Sequence, residues 1–422
     1  MTEKVTDTSA SYPFGGASTG PVARGSVARV GTATVLTALC GYAVVYLAAR
    51  DLAPVGFSVF AVFWGAFGLV TGAANGLLQE TTREIRSARR TDDAAGGQTR
   101  PLRAAALVGV ATAAAIAATS PLWSSRVFAD ARWLSVGLLS VGLAGFCLHA
   151  TLLGMLAGSD RWTQYGALMV TDAVIRVAVA AGALSRGLAG FLWATVAGSV
   201  AWLVMLAVSP ATRAAAQLRT RCAATTFLRG AAHSVTAAGA SAILVMGFPV
   251  LLQATSTELG ATGGVVILAV TLTRAPLLVP LTAMQGNLIA HFSDKRADRL
   301  RALVAPAAVV GGIGAVGVLA AGLAGPWILR VVFGPDYRAG GPLLAWLTAG
   351  AVAIAMLTLT GAAAVAAALH RAYALGWVGA TVASTLLLLL PLSLETRTVV
   401  ALLCGPAAGI GVHLAALARP NS

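Results

Sequence analysis

Twelve apolar runs of membrane-spanning length leave this chain few folds to choose from. A helix needs about 20 mostly apolar residues to cross the hydrocarbon of a bilayer. Runs of that kind lie at 30–49, 55–79, 104–124, 133–157, 163–184, 187–208, 230–254, 263–290, 302–325, 341–367, 372–391 and 398–417. The expected fold is an all-α polytopic membrane protein of about 12 transmembrane helices. Only 10% of the 422 residues are charged, against about 25% in an ordinary soluble domain.

A net charge of +14 invites a nucleic-acid reading. The placement of the charge argues against it, because a nucleic-acid binder gathers basic residues on one folded face. Here they sit in short loops between apolar runs, as topology signals do. With the N-terminus inside, the inner segments hold 20 Lys and Arg and the outer loops 7. That bias predicts a multi-pass plasma (inner) membrane protein with both termini cytoplasmic. The most highly charged loop, residues 81–103, reads as a topology anchor that also meets anionic headgroups. The predicted organisation is a disordered tail (1–29), an N-terminal lobe (30–208), a cytoplasmic linker (209–229), a C-terminal lobe (230–417) and a short tail (418–422). Cys40, Cys147, Cys222 and Cys404 have no metal or redox spacing; no cofactor is expected.

Two stretches repeat. DLAPVGFSVFA at 51–61 parallels ELGATGGVVILA at 258–269, each an acid–Leu pair, a Gly/Pro turn, a glycine and an apolar run. The parallel continues to polar ends, NGLLQETTRE at 75–84 and AMQGNLIAHFSD at 283–294, with Gln79 matching Asn287. Two six-helix halves in parallel orientation would produce this, and duplicated bundles are a recurrent transporter design.

The segment AARDLAPVGFSVFAVFWGAFGLVTGAANGLLQETTREI is similar to the second-helix region of polysaccharide-export flippases of the Wzx type, through Arg50, Leu52, Pro54, Gly56 and Phe57. LRVVFGPDYRAGG resembles that family's loop before the tenth helix, through Phe333, Gly334 and Tyr337. LTRAPLLVPLTAMQGNLIAHFSDKRADRLR resembles its eighth helix and following basic loop, and GSDRWTQYGALMVTDAVIRVAVA its fifth helix, through Tyr165 and Arg176. One departure stands out: the family's eighth helix often ends in Pro–x–Leu–Ser, where this chain has Ala290, His291, Phe292 and Ser293. The resemblance implies the multidrug/oligosaccharidyl-lipid/polysaccharide exporter superfamily, two six-helix lobes around a central cavity, alternating access, and a polyprenyl-diphosphate-linked sugar as substrate. The implied partners are membrane lipid, that substrate, and glycosyltransferases or a polymerase of the same pathway.

Candidate site residues follow from the cost of polarity in lipid. Arg274 lies deep in the eighth run, where a charge costs at least about 2.5–3.5 kcal/mol. A guanidinium suits phosphate, being always charged and offering a planar fork of donors. Arg274 reads either as a cavity cation or as a structural residue bonded to carbonyls freed near Pro276. Asp172 and Arg176 stand four apart on one helix face and can pair, which makes them a structural pair or a pair that substrate phosphate could open. Asn75, Gln79, Gln285 and Asn287 could bind sugar hydroxyls or join helices. Glu80 and Arg83 are gate candidates or solvated helix-end charges. His149 reads as a packed residue. A cation-coupled multidrug exporter of the same superfamily is the alternative transporter; it would be expected to use a buried acid, and Asp172 is the acid at mid-span. A membrane glycosyltransferase or ligase would need a large outer loop or clustered acids, and the outer loops here are short. No enzyme activity is expected.

Overall fold

The computed structural model describes residues 21–90, 98–128, 130–284, 288, 291–293 and 299–419. Helix α1, Pro21–Arg90, contains two of the expected spans. It breaks at Ala53 (φ 53°, ψ 174°), immediately before Pro54. Proline bars its predecessor from helical geometry and has no N–H for the ladder, so the break falls where the sequence puts the proline. A first limb (21–52) and a second limb (54–90) result. The helix starts at Pro21, inside the stretch expected to be a tail.

Helices α2 (Pro101–Val127), α3 (Arg132–Gly158) and α4 (Trp162–Gly182) follow. The next span is built from α5 (Gly187–Ala197) and α6 (Ala201–Val208), joined by a 3-10 turn at Gly198–Val200. A short α7 (Pro210–Ala216) lies in the linker. The run at 230–254, expected as one helix, is α8 (Ala224–Val245) and α9 (Phe248–Ala254), bent by 67°. Then come α10 (Gly260–Ala283), α11 (Arg299–Phe333), α12 (Gly341–Ala366), α13 (His370–Leu388) and α14 (Leu394–Leu417). Among the described residues, nine helices are long and apolar enough to cross a membrane, or ten with the bent pair as one. That reckoning takes α1 as a single helix; α13, at 19 residues, is not among the nine. Over the described residues each of the twelve apolar runs nevertheless falls on a limb, a helix or a helix pair; the end of the run at 263–290 lies outside them.

The second limb of α1 packs along α8 from Gly65 to Glu80. Gly65, Gly68, Gly72 and Gly76 let the two backbones approach: a Cβ at Gly72 would meet the Ala242 methyl at 2.8 Å, and one at Gly76 would overlap the Val235 backbone. Small residues serve this purpose in membranes, where helices gain nothing from leaving lipid and associate by close contact.

The bundle has a basic end, where Arg83, Arg86, Arg89, Arg161, Arg213 and Arg221 gather. There the linker is pinned to the segment after α1: Thr220 N–H donates to Thr99 O (2.9 Å), Gln98 N–H to Thr220 O (2.9 Å), and Thr99 Oγ1 to Cys222 O (2.7 Å). Toward the opposite end both halves of the chain share one apolar cluster. Val44, Val45, Ala48, Phe57 and Phe60 of α1 pack with Leu244, Phe248, Val265–Val270, Phe333 and Tyr337.

The first limb and α10 part company below that cluster. The first limb turns onto α4, where Ala33 faces Gly166, Thr37 Oγ1 donates to Met169 O (3.5 Å) and Arg29 donates to Thr163 Oγ1 (3.0 Å). The basic half of α10 turns onto α12, where Leu277 and Leu281 pack with Ala351 and Ala355. The two helices therefore form a fork, joined at the far end and diverging toward the basic end.

Candidate functional site

Arg274 sits at the crotch of this fork. Val270, one turn before it, belongs to the shared cluster, and Leu277, one turn after, to the α10–α12 cluster. Its side chain is held by the bend between α8 and α9. Pro249 has no N–H to give the Val245 carbonyl four residues earlier. That carbonyl instead accepts from Arg274 Nη1 (3.0 Å), with Leu244 O at 3.4 Å. The guanidinium lies over the Phe248 ring at 5.1 Å. The carbonyls that anchor Arg274 thus come from the break at Pro249 and not from the vicinity of Pro276.

One nitrogen is spent on this anchor. Nε and Nη2 are buried with no hydrogen-bond partner among the described residues, in a residue only 7% exposed. Tyr42, two residues before the shared cluster begins on the first limb, interacts with Arg274 electrostatically across the fork. The result is a fixed, desolvated cation with two donors to spare, where the two halves of the chain meet.

Arg176 is held differently. Its Nε lies 3.1 and 3.3 Å from the two carboxylate oxygens of Asp172, Nη2 donates to Asp172 Oδ1 (3.1 Å), and Nη1 to Thr195 O (2.8 Å). The Thr195 carbonyl stands where the ladder tightens into the 3-10 turn, and Gly198 leaves room for both charged groups. Phe67 covers the guanidinium at 5.4 Å. His149, stacked on Phe146 with ring centres 5.3 Å apart, adjoins the pair electrostatically, and its Nδ1 has no partner among the described residues. The pair lies wholly within the first half of the chain, and no contact among the described residues joins it to Arg274.

Glu80 is buried at the basic end of the α1–α8 contact, against Gly230. Arg83 Nη2 bonds it at 2.6 Å and reaches Glu84 at 3.1 Å. Asn75 is half-buried and Gln79 exposed; neither side chain bonds another described residue. Gln285 and Asn287 lie outside the described residues.

The structure joins two motifs that sequence reading kept apart. Tyr337, in the loop before α12, donates its hydroxyl to the Ala49 carbonyl at the α1 break (2.8 Å) and packs on Phe57. Gly334, at φ 117°, needs the freedom of glycine, and Arg50 lies against it. Phe333 meets Tyr46 edge-on. Burial, with a smaller contribution from Asp336, pushes the Tyr337 phenol up from its ordinary range, which keeps the donor proton in place. These contacts form a latch between the two halves at the far end. Tyr337→Phe would remove this hydrogen bond between the halves, worth about 0.5–1.5 kcal/mol. The expected result is faster thiol labelling of a cysteine placed at Ala49 or Phe57; unchanged labelling would mean the latch does not hold that end.

Sequence reading also passed over a cluster in the second half. His413, fully buried, lies 3.0 Å by Nδ1 from Thr360 Oγ1 and 3.3 Å by Nε2 from Tyr373 O, and stacks on the Tyr373 ring. Its only sequence signal was a histidine inside an apolar run.

The architecture is that of the MATE transporters of the MOP superfamily. An inward-facing multidrug resistance MATE family transporter superposes with a TM-score of 0.67 over 92% of this chain and 94% of the other, at 17% identity. The outward-facing form gives 0.63 over 96% and 98%, at 16% identity. A MOP superfamily transporter from Pyrococcus furiosus gives 0.63 over 95% and 97%, at 15% identity, and its description ties a different function to reversed polarity of the binding pocket. No family model matches the sequence. The chain belongs to a family of mycobacterial proteins that includes "Uncharacterized protein Rv3630" of Mycobacterium tuberculosis, 75% identical over 99% of this chain and 98% of the relative. "Uncharacterized protein Rv1510" of the same species is 73% identical over 96% and 94%.

Proposed function

We propose that this protein is a membrane transporter of the polysaccharide-export type, which flips a polyprenyl-diphosphate-linked sugar by alternating access between its two halves. The observation that carries this reading is Arg274. A buried guanidinium with two unpartnered nitrogens, fixed where the halves diverge, is suited to a phosphate oxygen brought up the fork from the basic end. The fork lies between the first limb of α1 and α10, while the second limb and α8 stay packed together. Such a one-sided opening lets a headgroup enter while its hydrocarbon tail remains in lipid. Asn75 and Gln79 stand on the opposite face of the second limb from Ala74 and Leu77, where amides could meet sugar hydroxyls.

The cation-coupled multidrug reading draws support from the likeness to the MATE structures alone. It needs an acid free to exchange an ion, and Asp172 is engaged by Arg176 in three hydrogen bonds.

The reading is tested in cells. Because removing Arg176 by itself would strand Asp172, the pair is replaced together. Cells whose copy carries Arg274→Ala, Asp172→Leu and Arg176→Met should keep the protein in the membrane and lose export of surface polymer. Normal export with that triple variant rejects a cationic route.

A further inference from the structure

The flank away from the fork carries a second feature. Helix α2 packs along α3, with Gly109 admitting the Ala144 backbone, but barely touches α1. The gap is a cavity of about 300 Å³. Its floor is Ala74 and Leu77 of α1, its sides are Ile116 of α2 and Cys147 of α3, and its far wall is Val235 of α8.

Its lining decides what fits. The hydroxyl on the wall, Thr112, already donates to its own backbone at Val108 O (2.8 Å), and no charged or amide side chain lines it. A water held there would need about two to four polar partners, which these walls do not provide. The surroundings are hydrocarbon: α2 is only 17% buried over its apolar window, and Leu107 and Val110 beside the cavity are 69% and 66% exposed.

We propose that this cavity is a binding groove for one acyl chain of a membrane phospholipid, inserted between α2 and α8 from the bilayer. Walls that read only hydrocarbon cannot select a headgroup. The chain present in greatest amount at the mouth therefore fills the groove, and that is ordinary phospholipid. The position gives the chain a consequence. Four of the five walls named above belong to the first half of the chain, whereas Val235 belongs to α8, beside the contact at Gly76. A chain in the groove thus lies against the line along which the halves would move, and the fit of its last wall depends on their relative position. This inference stands independently of the transported substrate.

The test is photolabelling of the full protein in phosphatidylcholine vesicles doped with phosphatidylcholine bearing a diazirine in one acyl chain, followed by peptide mapping. Ala74 and Leu77 of α1 form the floor and are buried, so label on these two residues reports insertion and not surface contact. Wild type is expected to carry label on Ala74 and Leu77. Ala115→Phe, at an exposed wall position on the loosely packed α2, should reduce it severalfold. Ala114→Phe, exposed but off the wall, should leave it unchanged, and label on Leu319 and Leu323 of α11 should be the same in all three. The inference is overturned if Ala74 and Leu77 remain unlabelled in wild type, if Ala115→Phe leaves their label unchanged, or if a diazirine polyprenyl phosphate labels them and the phospholipid does not.

Discussion

Arg274→Ala is expected to leave the protein folded and in the membrane while slowing transport about 10- to 100-fold. The range follows from the roughly 1.5–3 kcal/mol of a hydrogen bond to a charged group, converted to a rate. Folding and function separate here for a physical reason. Arg274 spends one nitrogen on the Val245 carbonyl and keeps two buried nitrogens without a hydrogen-bond partner among the described residues, so its removal leaves one carbonyl unpaired but relieves the desolvation of the charge. Thermal unfolding in detergent should shift little, or upward. Arg274→Lys sharpens the reading: an ammonium can reach the carbonyl but cannot present the remaining planar pair of donors. It should fold like wild type and transport no better than a small fraction of it. A variant that unfolds in proportion to its lost transport would instead mark Arg274 as a structural tie.

The second large effect is at Asp172 and Arg176, and it runs the other way. The side chains are 13% and 15% exposed, so solvent screens them little. Removing either partner leaves a charge buried without its counter-ion, at a cost of about 3–5 kcal/mol. Asp172→Leu or Arg176→Met alone should sharply lower the unfolding temperature in detergent. The combined variant, which replaces the pair with apolar groups of similar volume, should recover most of the loss. Such non-additivity marks a direct interaction. Additive losses would show that the two charges act separately, with Arg176 then free to meet a substrate.

Much of this architecture is legible in the residues because membrane helices announce themselves. Length and apolarity place all twelve runs, and Pro54 marks the break in α1. What the sequence hides is what each proline frees. The charge of Arg274 is plain from its position, but its anchor is a carbonyl about 29 residues away, released by Pro249 in another helix. Periodicity within one span cannot show that. The same limit applies to Tyr337 and Ala49, which lie 288 positions apart. The family resemblance picked out the residues around both, yet no local pattern says that the two motifs touch. The glycines of the α1–α8 contact were lost among 47 glycines in the chain. The Asp172–Arg176 pair was the easiest to read, because a spacing of four fixes it within one helix.

The central claim is that a lipid-linked diphosphate sugar crosses the bilayer through the fork at Arg274. Its most direct test is flipping in reconstituted vesicles, with a polyprenyl-diphosphate sugar carrying a fluorophore on the sugar and a membrane-impermeant quencher added outside. Wild-type vesicles should lose the protected half of the fluorescence well ahead of protein-free vesicles, with Arg274→Ala vesicles resembling the protein-free ones. Wild-type vesicles that quench no faster than empty ones, or Arg274→Ala vesicles that match wild type, would contradict the claim.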